Sequence, residues 1–156
     1  MSYFSGIGSA KIGISSAYFE AGNYVVDIVA VKMVNSRKRE DLYTIETCVV
    51  ESDNPKVIVG RKYTCQYNRK HDSFFGNVKG FLAAANGVEP DPRNEKEIAT
   101  LFTDESGRDI AEEVAEMSVS DENPLAGTRL TLNCVIKKTR AGNDFTIHNW
   151  SPYKGE

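Results

Sequence analysis

The sequence predicts one mainly β domain (α+β by content), with five strands and a helix between the third and the fourth. Three observations carry that prediction. Apolar and polar residues alternate with a period of two over 24–34, as a half-buried strand requires, and further segments read as strands, the second from its β-branched and aromatic residues. The period lengthens to that of an amphipathic helix over residues 74–85. Clusters of Gly, Asn, Asp and Pro separate the segments, and no long linker or internal repeat interrupts them. With 156 residues, 40% of them apolar, the chain is long enough to bury a core of its own.

Residues 1–20 are rich in Gly, Ser and Ala and read as a flexible N-terminal arm; residues 21–156 form the single domain. After the turn Ala21-Gly22-Asn23, a first strand over 24–34 puts Tyr24, Val26, Ile28 and Ala30 on a wholly apolar face. A polar hairpin loop over 35–41 leads to a second strand over 42–51, rich in β-branched and aromatic residues. Ser52-Asp53-Asn54-Pro55 is a turn, because Asx side chains fold back on the backbone and Pro fixes φ. A third strand is expected over 57–67, with Gly60 marking a bulge or bend inside it. Alternation gives Arg61, Tyr63, Cys65 and Tyr67 one face and Lys62, Thr64, Gln66 and Asn68 the other; either set satisfies the pattern as the inner one.

Asp72 or Ser73 is a suitable N-cap for the helix, and Phe74, Phe75, Val78, Phe81, Leu82 and Ala85 recur at helical spacing. Gly76 and Gly80 each cost the helix about 1 kcal/mol relative to Ala, and their spacing would let it pack closely on the strands. Asn86-Gly87 stops it. Residues 88–127 form an acidic helical insert, with short helices expected over 95–102 and 108–117. A fourth strand over 128–139 and a fifth over 144–150 close the pattern as a hairpin.

Three strands, a helix and a hairpin make the element order of a five-stranded OB-fold barrel. In that fold the second and third strands bind the ligand, together with the loops joining strands one to two and four to five. Those loops hold Arg37, Lys38 and Arg39, and Lys137, Lys138 and Arg140. The third strand and its flank add Lys62, Arg69 and Lys70. Cations track phosphates while aromatic faces stack on bases, and Tyr43, Tyr63, Tyr67, Phe145 and Trp150 are the candidate platforms. The formal net charge of −3 does not argue against this, because residues 87–127 alone carry −9 and the segments on either side carry +3 each.

Other chemistry is not indicated. His71 and His148 are too few and too far from any Cys pair for a metal site. Gly6-Ile-Gly8-Ser-Ala-Lys11 lacks the spacing and ending of a phosphate loop. No Ser-His-Asp or Cys-His motif occurs in a recognisable context, so the expectation is a non-catalytic protein without metal or cofactor. The dispersed Cys48, Cys65 and Cys134 fit reduced thiols in a cytoplasmic protein. Neither a membrane span nor a secretory signal is expected.

Several stretches resemble a family of small bacteriophage proteins. They are Gly22-Asn-Tyr-Val-Val-Asp-Ile28, Asn54-Pro55 with Gly60-Arg61, Gly76-Asn-Val-Lys-Gly-Phe-Leu-Ala-Ala-Ala-Asn-Gly87, Asn123-Pro-Leu-Ala-Gly127 and Asn149-Trp-Ser-Pro-Tyr153. Some members of that family have no assigned function, and others are described as OB-fold single-stranded-DNA-binding proteins of phage replication and recombination. The resemblance implies single-stranded DNA, or RNA, as partner, in the cytoplasm of a host cell. Replication or recombination proteins of phage or host, and further copies of the chain, are the other candidate partners. Many single-stranded-DNA-binding proteins end in an acidic recruiting tail, whereas this chain ends Tyr153-Lys154-Gly155-Glu156. The acidic insert is then either the recruiting surface or a solvated cap. The alternative function is a protein-interaction module or inhibitor acting through the barrel groove or that insert.

Overall fold

Hiding one face of each alternating segment draws the segments into a sheet. A computed structural model of the chain describes residues 19–35, 40–138, 140–142 and 144–154. The strands are β1 (Gly22–Asn35), β2 (Asp41–Ser52), β3 (Lys62–Asn68), β4 (Arg129–Lys138) and β5 (Asp144–Pro152). They form one antiparallel five-stranded sheet in the order β3-β2-β1-β4-β5. The helices are α1 (Phe74–Ala85), α2 (Glu95–Leu101) and α3 (Ala111–Ser118), with a 3-10 turn at Pro92–Asn94. The protein is therefore mainly β, and its sheet is open: among the described residues no backbone ladder joins β3 to β5. No helix among the described residues is long and apolar enough to cross a membrane.

The inner face carries Tyr24, Val26 and Ile28 of β1, Tyr43, Ile45 and Val49 of β2, Tyr63, Cys65 and Tyr67 of β3, Leu130, Leu132 and Cys134 of β4, and Trp150 of β5. The register of β1 against β2 shifts between Ile28 and Ala30. An extra residue there re-aims every side chain beyond it, so Val31 and not the expected Ala30 enters the core.

Helix α1 lies across this face against β3, β4 and β5. Phe81 is fully buried, its ring 5.0 Å from that of Trp150 and 6.1 Å from that of Tyr43, both edge-on. Trp150 Nε1 donates to Tyr67 Oη at 2.8 Å, a buried bond linking the two outermost strands through their side chains. Ser73 holds the N-cap position of α1 but makes no capping hydrogen bond. The C-terminus is tightly finished: the Gly87 N–H donates to the Ala84 carbonyl and the Val88 N–H to that of Ala83, with Gly87 at φ +87°.

Several contacts fasten the insert to the sheet. Phe102 is buried in the core. Tyr43 Oη and Ser118 Oγ share a 2.8 Å hydrogen bond. The Asn123 amide accepts from the Val31 N–H and donates to the Val31 carbonyl, both at 2.8 Å. It thereby supplies β1 with a strand-like partner beyond the last residue paired to β4, Asp27.

Three expectations are corrected. The third strand begins at Lys62, because residues 57–61 turn: Gly60, at φ +88°, donates to the Val49 carbonyl, and Ile58 and Val59 stay exposed. Their β-branched side chains imitate a strand that the turn does not permit. Phe19 belongs to the core, its ring 5.0 Å from Tyr24 and 5.1 Å from Tyr63, so the domain begins before residue 21; residues 1–18 lie outside the described residues. Gly76 and Gly80 do not bring α1 onto the sheet. A Cβ at Gly76 would meet nothing within 4 Å, and one at Gly80 only Pro90 Cβ at 3.8 Å.

Two outcomes follow for chemical denaturation. Tyr67→Phe strands the Trp150 N–H and Trp150→Phe strands the Tyr67 hydroxyl, each costing about 1–3 kcal/mol or more. The double variant is expected to cost less than the sum by about 1 kcal/mol; strictly additive losses would remove the hydrogen bond from the account of how β3 and β5 are joined. Gly76→Ala is expected to stabilise by about 0.5–1 kcal/mol, since it removes backbone entropy and meets no obstacle; a loss of stability would show that the glycine is required.

Candidate nucleic-acid interface

Strand parity decides which predicted residues can meet a ligand. Tyr43, Tyr63, Tyr67 and Trp150 are 2%, 3%, 6% and 3% exposed, so none of the four offers a face to a base. They fall in phase with Ile45, Cys65 and Leu132, and their bulk fills the space between sheet and α1. Their polar ends are satisfied inside. Tyr43 bonds Ser118, Tyr67 bonds Trp150, and Tyr63 Oη accepts from the Ile58 N–H at 3.0 Å. Burial pushes the Tyr43 hydroxyl up to about 12 and that of Tyr67 well above its ordinary value. These are packing residues.

Phe145 has the opposite parity in β5 and is 44% exposed. It stands directly across from Lys137, and Val135 across from Ile147, on the solvent face of the β4–β5 arm. Beyond Cys134, which pairs with Gly22, the arm extends past the start of β1. Lys137, Lys138 and Arg140 are exposed on it. No ion pair engages these three among the described residues. The arm therefore sets Lys137 opposite an open aromatic ring, with Lys138 and Arg140 next to it in sequence.

The remaining cations are dispersed. Lys62 is exposed at the start of β3 and pairs with Cys48, so the register sets it level with Asp27 and Arg129, away from the arm. Arg69 and Lys70 lie at the opposite end, where the Arg69 N–H donates to the Asp41 carbonyl. The Arg69 guanidinium lies 4.5 Å over the Phe75 ring and 5.6 Å over that of Phe74, so its flat face is already covered. Arg37, Lys38 and Arg39 lie outside the described residues, in the loop between Asn35 and Asp41. The two basic loops thus belong to opposite ends of β1 and flank the sheet.

Between them the outer face is balanced in charge and rich in amides. Asp27 is gripped at both oxygens by Arg129, at 2.7 and 3.1 Å, and Lys32 pairs with Glu46 at 2.8 Å. The Arg129 guanidinium also stacks over Tyr153 at 5.6 Å. Asn149 Nδ2 donates to Asn133 Oδ1, Asn133 Nδ2 to Asn23 Oδ1, and Asn23 Nδ2 to Asp53 Oδ2, at 3.1, 2.8 and 2.9 Å. Bonds from Asn23 hold the Asp53 carboxyl below the ordinary carboxylate range. Sequence reasoning did not find this ladder, because its four members come from three strands and a turn.

Burial disfavours the charged forms of the titratable groups in and beside the core. Cys65 and Cys134 are free, and burial pushes both thiols up, Cys134 to about 12. His148 pairs with Cys134 across the β4–β5 ladder, its ring 5.8 Å from that of Tyr67, and its Nδ1 is buried without a hydrogen-bond partner. Burial pulls its pKa down to about 4. Compared with known proteins, the chain matches no family model, and no curated protein is significantly similar to it.

The neutral His148 makes stability depend on pH. An imidazole held at about 4 when folded and near 6.5 when unfolded leaves stability intact above pH 6.5. The unfolded chain gains its proton first as pH falls, so stability drops by roughly 3 kcal/mol in all and levels off below about pH 4. Unfolding free energies of wild type and His148→Gln across this range are expected to diverge accordingly, with the flatter profile in the variant. Parallel profiles would show that the imidazole does not resist protonation.

Proposed function

We propose that the protein binds single-stranded nucleic acid, DNA first, without catalysis and with little sequence preference. The binding face is the outside of an OB-type sheet, flanked by the β1–β2 loop and the β4–β5 arm. The strand order β3-β2-β1-β4-β5, with α1 between β3 and β4, is that of an OB barrel opened at one seam. The Tyr67–Trp150 bond spans that seam. The resemblance to phage proteins of the same kind points to replication or recombination of phage DNA as the setting.

One observation carries the proposal: on the β4–β5 arm the exposed Phe145 faces Lys137 across the ladder, beside Lys138 and Arg140. Aromatic stacking on bases together with cations along phosphates is what sequence-tolerant single-strand binding requires. Lys62 is a further exposed cation on the sheet, level with Asp27 and Arg129. The amides of Asn133 and Asn149 offer donors and acceptors in the path between the flanking loops. The aromatic contribution belongs to Phe145, and the phosphate contacts to Lys62, Lys70, Lys137, Lys138, Arg140 and the loop cations Arg37, Lys38 and Arg39.

Fluorescence anisotropy of labelled oligo-dT, titrated at two salt concentrations with a duplex of equal length as control, tests this reading. Salt-sensitive binding that favours the single strand is expected. Phe145→Ala should weaken it by roughly 5- to 150-fold with little change in salt dependence, the loss of one stacked base. Replacing Lys137, Lys138 and Arg140 together should reduce the slope of log affinity against log salt by about two. Absence of binding at low salt, or indifference to both changes, would sink the proposal.

A further inference from the structure

We propose that the groove between α1 and α3 is a self-association surface, which receives a second copy of this chain about a two-fold axis. This inference is independent of nucleic-acid binding. The groove encloses about 670 Å³ and is floored mostly by apolar side chains. Phe75 stands on its rim 64% exposed and Met33 43% exposed, so an apolar knob lies beside an apolar hole on one surface.

The two walls carry opposite charge. Lys79 on α1 and Arg69 in the turn before it form one wall; Glu112 and Glu116, a turn apart on α3, form the other. Among the described residues none of the four is in an ion pair. A two-fold interface brings each patch against a copy of the same surface, so a patch carrying both signs on opposite sides of its centre complements itself. Rotation sets the basic wall of one copy against the acidic wall of the other and Phe75 over the neighbouring groove. A groove meant for a peptide of one charge would need only one of these walls.

The test is sedimentation equilibrium of the full chain over a wide concentration range, in wild type and two charge-reversed variants. A monomer–dimer equilibrium is expected. Arg69→Glu with Lys79→Glu should weaken the dimer about tenfold or more, and so should Glu112→Lys with Glu116→Lys. Mixing the two variants should restore dimers, each pairing one chain of either kind. Phe75→Ala should weaken the dimer while leaving the circular-dichroism spectrum unchanged, since the ring is exposed. A wild type that stays monomeric throughout, a dimer indifferent to these changes, or a mixture that fails to reassociate would overturn the proposal.

Discussion

The hydrogen bond from Trp150 to Tyr67 is the constraint around which this molecule is arranged. An antiparallel sheet of five strands has two edges, and exposed edges invite pairing with other chains. Here the edge strands β3 and β5 are drawn together by two aromatic side chains and not by backbone. The bond needs a dry site, which Phe81 supplies by packing its ring against the indole. Helix α1 must therefore cross between β3 and β5, and the chain places it there by threading it between β3 and β4. His148, beside the same rings, is kept neutral by this dryness.

The same packing explains why the binding surface is sparse. A small sheet covered by one principal helix needs large side chains to fill the intervening space. Tyr24, Tyr43, Tyr63, Tyr67 and Trp150 are all committed inward, with their polar groups satisfied at the margins of the core. Few aromatics remain for the outside. Phe145 is exposed because its parity in β5 turns it to the outer face of the sheet, where no further layer covers it. Cations are likewise divided: Arg129 and Lys32 over the sheet neutralise Asp27 and Glu46, and those on the arm are in no ion pair among the described residues.

The acidic insert follows a related logic. Its charge is solvated, yet Phe102, Ser118 and Asn123 tie it to the core, to β2 and to β1. Asn123 adopts φ +45°, uncommon for a residue with a side chain, and holds both polar groups of Val31 in return. The insert thus completes a stretch of β1 that β4 does not reach. Its helix α3, held in this way, makes the second wall of the groove beside α1.

Alternation together with β-branched and aromatic enrichment marked the five strands, although the third was drawn five residues too early, and the helical period with the stop at Asn86-Gly87 marked α1. Trp150 and Phe145 differ by an odd number and cannot share a face, yet both stood as candidate platforms, and which of the two is inside was not legible. The absolute face of β3 was not: Tyr63 and Lys62 satisfy the same alternation, and only packing against α1 decides which is inside. The bulge in β1, the turn before β3 and the amide ladder were equally hidden, because each depends on partners 11 to 110 residues away in sequence. Local pattern states what a segment can be. Which of its faces meets solvent, and which cations stay unpaired there, is decided by distant segments competing for one small interior.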